Sequence, residues 1–211
     1  MNIQLKILES DSQIASNILK ALKPQVDEFI KKRIPKIEIA LRESITDMLK
    51  NEPEYQSLMS GRLKYEFGLP NEVNIDTVVE ILANTVSIST EQSVINNRGI
   101  SIKLKLTALS KDGEPAISSS DAFVVDAKGG YALPWLEWLL FKGTEPIVKN
   151  YSVRIGQNPF SRSGMAIMVE SNKNWRVPSE FAGSINNNWM TRAIDKNEDK
   201  IEKQIISIFN E

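Results

Sequence analysis

Apolar residues recur at helical spacing through the first third of the chain and switch to alternation near Val86. Ile14, Ile18, Leu22 and Val26, with Leu19 and Ile30 beside them, lie three or four apart, the period of one helix face. Asp11 and Ser12 are suitable N-caps for that helix. Pro24 falls inside the run and predicts a kink or restart, and Ile34-Pro35 predicts a second break. Ile37, Leu41, Ile45 and Leu49 then mark another amphipathic helix. Pro53 can open a third, running through Tyr55, Leu58, Leu63 and Phe67 to a stop at Gly68-Leu69-Pro70. Ahead of these helices, Asn2 to Leu8 alternates, with Ile3, Leu5 and Ile7 on one face of a short predicted strand.

After a further helix over Asp76 to Asn84, the period becomes two. Val86, Ile88 and Thr90 alternate with polar residues, Asn96-Asn97-Arg98-Gly99 is a turn signal, and Ile100, Ile102, Leu104 and Leu106 form the apolar face of one half-buried strand. Lys111-Asp112-Gly113 is a second turn, and Ala122 to Val125 a strand that ends by Gly129-Gly130. The run Leu133 to Lys142 carries Trp135 and Trp138 with Leu136, Leu139 and Leu140. It predicts a helix apolar on nearly all sides and therefore central. Tyr151 to Ile155 and Met165 to Val169 are two more strands, and Trp189, Ala193, Ile194, Ile201, Ile205 and Phe209 space out a tail helix. The predicted class is α+β: N-terminal helices over 1–70, a small antiparallel β-sheet over 86–170 with one helix (133–142) packed on it, and a C-terminal helix over 186–209. No linker separates the parts, so residues 1–211 read as one domain.

Composition narrows the chemistry. The chain has 211 residues and a formal net charge of −1, so no global field draws it to nucleic acid or to an acidic membrane. It contains no cysteine and no histidine, which excludes disulfides, thiolate metal sites, His-based zinc sites and triads or dyads built on histidine. Neither a cofactor nor a metal is expected, and the expectation is a non-enzyme. No apolar run approaches membrane-spanning length. The start of the chain, with Lys6 and Glu9, lacks the long apolar core of a signal peptide, so a chain made and kept in the cytoplasm is expected.

Charge gathers locally. Lys31-Lys32-Arg33 with Lys36 is the densest basic run, but Glu28, Glu38 and Glu43 intersperse it, as on a solvated helix face. Between Lys142 and Arg192 seven basic residues stand against three acidic ones, a local balance of +4. Trp175, Arg176, Phe181, Trp189 and Arg192 lie in this stretch. Aromatic residues and arginine dominate interface energetics, so these five are the candidate subunit interface, the alternative being that the aromatics complete a core. Lys142, Lys149, Arg154 and Arg162 are the candidates for facing DNA. Glu137 is the one charge inside the apolar helix run, and if buried it needs a partner. A carboxylate pair of Glu180 with Asp195 has no support from spacing. Gly156 to Gly164 lacks the P-loop and dinucleotide patterns and reads as a loop between two strands, able to dock on a partner; Lys111 to Asp121 is a second such arm.

Three segments, taken in order, carry a resemblance. Ser60-Gly61-Arg62-Leu63, then Trp135-Leu136-Glu137-Trp138 with Gly143-Thr144, then Trp189-Met190-Thr191-Arg192-Ala193-Ile194 together resemble the neck or tail-completion proteins of tailed bacteriophages. The spacing between Glu137 and Gly143-Thr144 is longer than that family's usual pattern. The resemblance implies a non-catalytic virion protein of the head–tail junction, assembled in the host cytoplasm. It implies a small subunit of a ring, commonly six-fold, that passes duplex DNA without binding it specifically. Its neighbours would be portal-side adaptor proteins and tail tube or terminator proteins. A tail terminator and a DNA-binding packaging accessory protein are the rival readings, and a carboxylate-dependent hydrolase is a fourth.

Overall fold

The computed structural model describes residues 10–96, 98–109, 114–125 and 131–211. The expected strand over Asn2 to Leu8, the turn at Lys111-Asp112-Gly113 and the stop at Gly129-Gly130 lie outside the described residues. The class is α+β, with helices at both ends of the chain.

Helix α1 (Asp11–Lys50) runs 40 residues without interruption, about 60 Å at 1.5 Å per residue. It passes through both prolines that were expected to break it. Pro24 and Pro35 sit on its solvent side. The carbonyls they leave without an N–H donor belong to Lys20 and Lys31, which are also exposed and so open to water. The opposite face continues through Ile30, Ile37, Leu41, Ile45 and Leu49, all buried, and this packing keeps the helix whole across Pro35. The N-cap is Ser10 rather than Asp11 or Ser12; it forms a capping box with Gln13.

Pro53 opens α2 (Pro53–Ser60) as expected, but the helix does not continue to Phe67. It breaks at Gly61, and α3 (Arg62–Phe67) restarts from there. A Cβ on Gly61 would lie 2.8 Å from the Ser57 backbone, so the bend needs glycine. Gly68 ends α3 in the left-handed conformation at φ 64°. Helix α4 (Ile75–Asn84) packs on α1.

Among the described residues the strands make four two-stranded antiparallel sheets rather than one. β1 (Ser87–Thr90) pairs with β4 (Leu104–Thr107), and β2 (Val94–Asn96) with β3 (Gly99–Ser101). The expected single strand over Ile100 to Leu106 is thus split. Its two halves form one arm of a long hairpin, bridged at the gap by the Glu91 N–H donating to Lys103 O. The hairpin is tied to α1 where the Ile88 N–H donates to Glu38 and Arg42 donates to the Val86 carbonyl. β5 (Val124–Val125) pairs with β6 (Ala132–Leu133), and β7 (Tyr151–Ile155) with β8 (Ala166–Glu170). Ala122, expected in a strand, lies in a short 3-10 turn over Ser120–Ala122 that follows α5 (Glu114–Ile117).

Helix α6 (Trp135–Leu140) is central, with Trp135, Leu136, Leu139 and Leu140 buried. Its contacts run to α5, the 3-10 turn and the tail. The tail is two helices, α7 (Trp189–Asp195) and α8 (Glu198–Phe209), separated by a turn in which Asn197 bonds back to the Ala193 carbonyl. One cluster of buried side chains runs from Ile37 on α1 to Ile208 on α8 and includes Trp135, Trp175 and Trp189.

Gly183 closes this core beside the end of α6. Its carbonyl accepts from the Gly143 N–H at 2.8 Å. A Cβ there would stand 2.2 Å from Leu139 O and 2.9 Å from Leu140 O, both backbone atoms that cannot swing aside. Gly183→Ala is therefore expected to lose about 2 kcal/mol of stability, the middle of the overpacking range, read as a lowered urea midpoint with an unchanged slope.

Candidate functional site

The β7–β8 ribbon covers a cleft in the surface. Its register places Val153 opposite Met168 and Ile155 opposite Ala166. Residues directly opposite share a face, so Tyr151, Val153, Ile155, Ala166, Met168 and Glu170 lie on one side. Ser152, Arg154, Ile167 and Val169 lie on the other. The first side covers a cleft of about 610 Å³ whose lining includes Phe67 from α3, Leu133 from β6, and Trp175. The aromatic wall is well fixed. The Phe67 and Trp175 rings meet edge-on at 6.1 Å, and Phe67 packs on Trp135 at 6.0 Å. Backbone bonds between Trp175 and Val148 hold that wall to the segment leading into β7.

A second recess of about 420 Å³ adjoins the first, sharing Glu66, Val153 and Trp175, and is rimmed by Arg62, Lys173 and Arg176. Glu66 sits between the two, its side chain only 8% exposed. It accepts from Arg62 Nε at 2.5 Å and from Trp175 Nε1 at 3.3 Å. Arg62 also reaches Glu180 at 2.8 Å. The Glu66 hydrogen bond is the largest cause raising the guanidinium above its usual pKa, so Arg62 is a fixed, compensated cation. Arg162 lies across the mouth of the larger cleft. It donates to the Val125 carbonyl at 3.4 Å, and its guanidinium passes 3.3 Å from where a Cβ on Gly68 would stand. Among the described residues Arg162, Lys173 and Arg176 have no carboxylate within ion-pair distance. The cleft thus has an apolar floor with Arg162 at its mouth, and the adjoining recess adds Lys173 and Arg176, cations without an ion pair among the described residues.

The loop over 156–164 folds on itself through Asn158 N–H to Gly164 O at 2.9 Å and Ser161 N–H to Asn158 O at 3.1 Å. It carries Phe160 at the cleft mouth, 94% exposed. Only its position in a loop between two strands marked it out in the sequence.

The five expected interface residues do not form a surface. Trp189 is fully buried and Trp175 nearly so, because each completes the core and each indole N–H has a partner inside the chain: Leu49 O for Trp189 and Glu66 for Trp175. Phe181 is half-buried. Arg192 reaches inward to Glu54, a buried carboxylate on α2 that the sequence gave no reason to single out. Only Arg176 is exposed, on the rim of the second recess. Nor do the four DNA-facing candidates gather on one face. Lys142 pairs with Glu137 at 3.2 Å; Glu137 is only half-buried, so the burial that would have required a partner is not what the fold gives it. Lys149 is exposed, Arg154 is on the ribbon face away from the cleft, and Arg162 is on the cleft itself. Glu180 is held by Arg62 and Asp195 is exposed at the end of α7, so the two are not built as a pair.

Comparison with known protein families, curated proteins and solved structures returns no match. Among the described residues no helix is long and apolar enough to cross a membrane.

Proposed function

We propose that this chain is a structural subunit of the tailed-phage neck, completing or joining the head–tail junction as a ring through which DNA passes. The observation that carries the reading is how the three motif segments pack. The Gly61 bend joins α2 to α3, α6 holds Trp135 against Phe67, and α7 holds Trp189 in the core while Arg192 reaches back to Glu54 on α2. Segments far apart in sequence thus support one another and leave the β7–β8 ribbon and its cleft free for neighbours. In this reading the chain works without a cofactor. Its neighbours are copies of itself, portal-side adaptor proteins, and tail tube or terminator proteins.

A tail terminator would use the same surfaces and would arrest polymerisation of the tube protein. The cations Arg162, Lys173 and Arg176 favour a second class, a DNA-binding packaging accessory protein, which predicts duplex affinity falling steeply with salt.

The deciding measurement is the mass of the purified protein by light scattering over a concentration series. The expected result is a discrete ring-sized oligomer. A monomer at every concentration that stays unbound after addition of portal–adaptor complexes or tails overturns the reading.

A further inference from the structure

We propose that the cleft beneath β7–β8 receives the acidic outer stripe of α8 from a second copy of this chain. The inference rests on the ring reading and names the contact that would build the ring.

The cleft asks for an occupant of mixed chemistry. Its floor of Phe67, Leu133, Val153 and Trp175 rewards an apolar side chain; Arg162 stands at its mouth, and Lys173 and Arg176 rim the recess that adjoins it, none of the three with a carboxylate partner among the described residues. DNA phosphates would match the rim but leave the floor unfilled. A carboxylate-bearing segment with an apolar anchor matches both, and complementary charge steers and registers such contacts.

This chain carries such a segment. Asp199, Glu202 and Ile206 lie at i, i+3 and i+7 on α8, one face of a helix. All three are exposed, Ile206 at 50%, and neither acid has an ion pair among the described residues. Lys203, four residues after Asp199 and three before Ile206, borders the same face, so the stripe carries two acids against one lysine, while Lys200 falls on the adjoining face. The inward face of α8 is committed elsewhere: Ile201 and Ile208 are in the core, and Gln204 bonds to Ser44 at 2.8 Å and to the Ala40 carbonyl at 3.1 Å. The Phe29–Phe209 contact and the Lys36–Glu211 ion pair hold the end of the helix on α1. Held along α1 in this way, α8 does not turn into its own cleft, so the contact forms between copies.

Net charge points the same way. The stretch from Lys142 to Arg192 carries +4 in a chain whose total is −1, which leaves −5 for the rest. Cleft and stripe are different patches, so their contact is heterologous and propagates head to tail, closing into a ring when the rotation allows.

The test uses two charge-reversed full-length chains, Arg162→Glu with Arg176→Glu, and Asp199→Lys with Glu202→Lys, each checked for an unchanged melting temperature. All the altered side chains are exposed. Each chain alone is expected to associate at least tenfold more weakly than the parent, and an equimolar mixture to recover the parent's assembly, because the reversed rim of one then faces the reversed stripe of the other. Ile206→Ser is expected to weaken association without altering charge. A parent that assembles while either reversed chain assembles equally well overturns this contact and leaves the ring reading standing. A rim reversal that removes duplex DNA binding and leaves assembly intact also overturns it, in favour of DNA. A parent that stays monomeric both alone and with portal–adaptor complexes or tails added overturns the ring reading, and this contact with it.

Discussion

Arg192→Ala is expected to lower the unfolding free energy by about 3–5 kcal/mol, the range for removing one partner of a buried ion pair. Glu54 is 2% exposed and its carboxylate takes two bonds from the guanidinium, from Nε at 3.1 Å and from Nη2 at 2.5 Å. With Arg192 truncated, that charge stays buried against the start of α2 with no counterion. The arginine also donates to the side chain of Asn187 at 2.9 Å and to the Phe181 carbonyl at 3.4 Å, so the change loosens the approach to α7 as well. Most of the cost is the stranded carboxylate, and this has a consequence of its own. The double variant Glu54→Met with Arg192→Met is expected to lose markedly less than the two single losses added together, since apolar replacement of a whole pair is often near neutral. Urea unfolding of the parent, both single variants and the double variant measures it. A double variant as unstable as the sum would mean that the side chains act separately and that Glu54 is not stranded.

What the sequence made legible follows from which forces act locally. The helix at Ile75–Asn84 was readable because its apolar periodicity agrees with its final packing, and the strand over Tyr151–Ile155 from its alternation, although Tyr151 and Ile155 stay exposed. The helix start at Pro53 was readable because N1 tolerates a missing N–H. The prolines of α1 misled for the complementary reason. Pro24 and Pro35 weaken the helix locally, but the buried row from Ile30 to Leu49 is a tertiary gain that no local rule contains. The end of α2 at Gly61 is a local matter, the close approach of the Ser57 backbone four residues earlier, which an apolar period running on to Phe67 passes over.

The candidate site was legible in charge but not in place. The basic excess between Lys142 and Arg192 is visible in the sequence, yet it mixes rim cations such as Arg162 and Arg176 with Arg192, which is turned inward. Composition cannot separate these, because Glu54 is 138 residues from Arg192. The tryptophans are the same case. The side chains that would anchor an interface are the ones that anchor a core, and only their neighbours distinguish the two.

Trp189 is where that distinction has the largest consequence. Its side chain has no exposure, and its indole N–H donates to the Leu49 carbonyl at 3.1 Å, joining α7 to the last turn of α1. Trp189→Ala is expected to cost about 3–5 kcal/mol, the range for truncating a large buried aromatic, because the surrounding helices refill the space only in part. Trp189→Phe separates packing from the hydrogen bond. The Leu49 carbonyl also accepts from the Glu52 N–H at 3.2 Å, so losing the indole donor does not leave it unpaired. The Phe variant is therefore expected to fall only about 1–2 kcal/mol below the parent, a lost hydrogen bond plus a modest loss of volume. Denaturant unfolding at fixed protein concentration gives both values, and repeating it over a range of concentrations decides the role of the residue. A loss from Trp189→Ala that stays the same at every concentration belongs to the core of one chain. A loss that shrinks as the protein is diluted belongs to a contact between chains, and would return Trp189 to the interface that its sequence neighbourhood suggested.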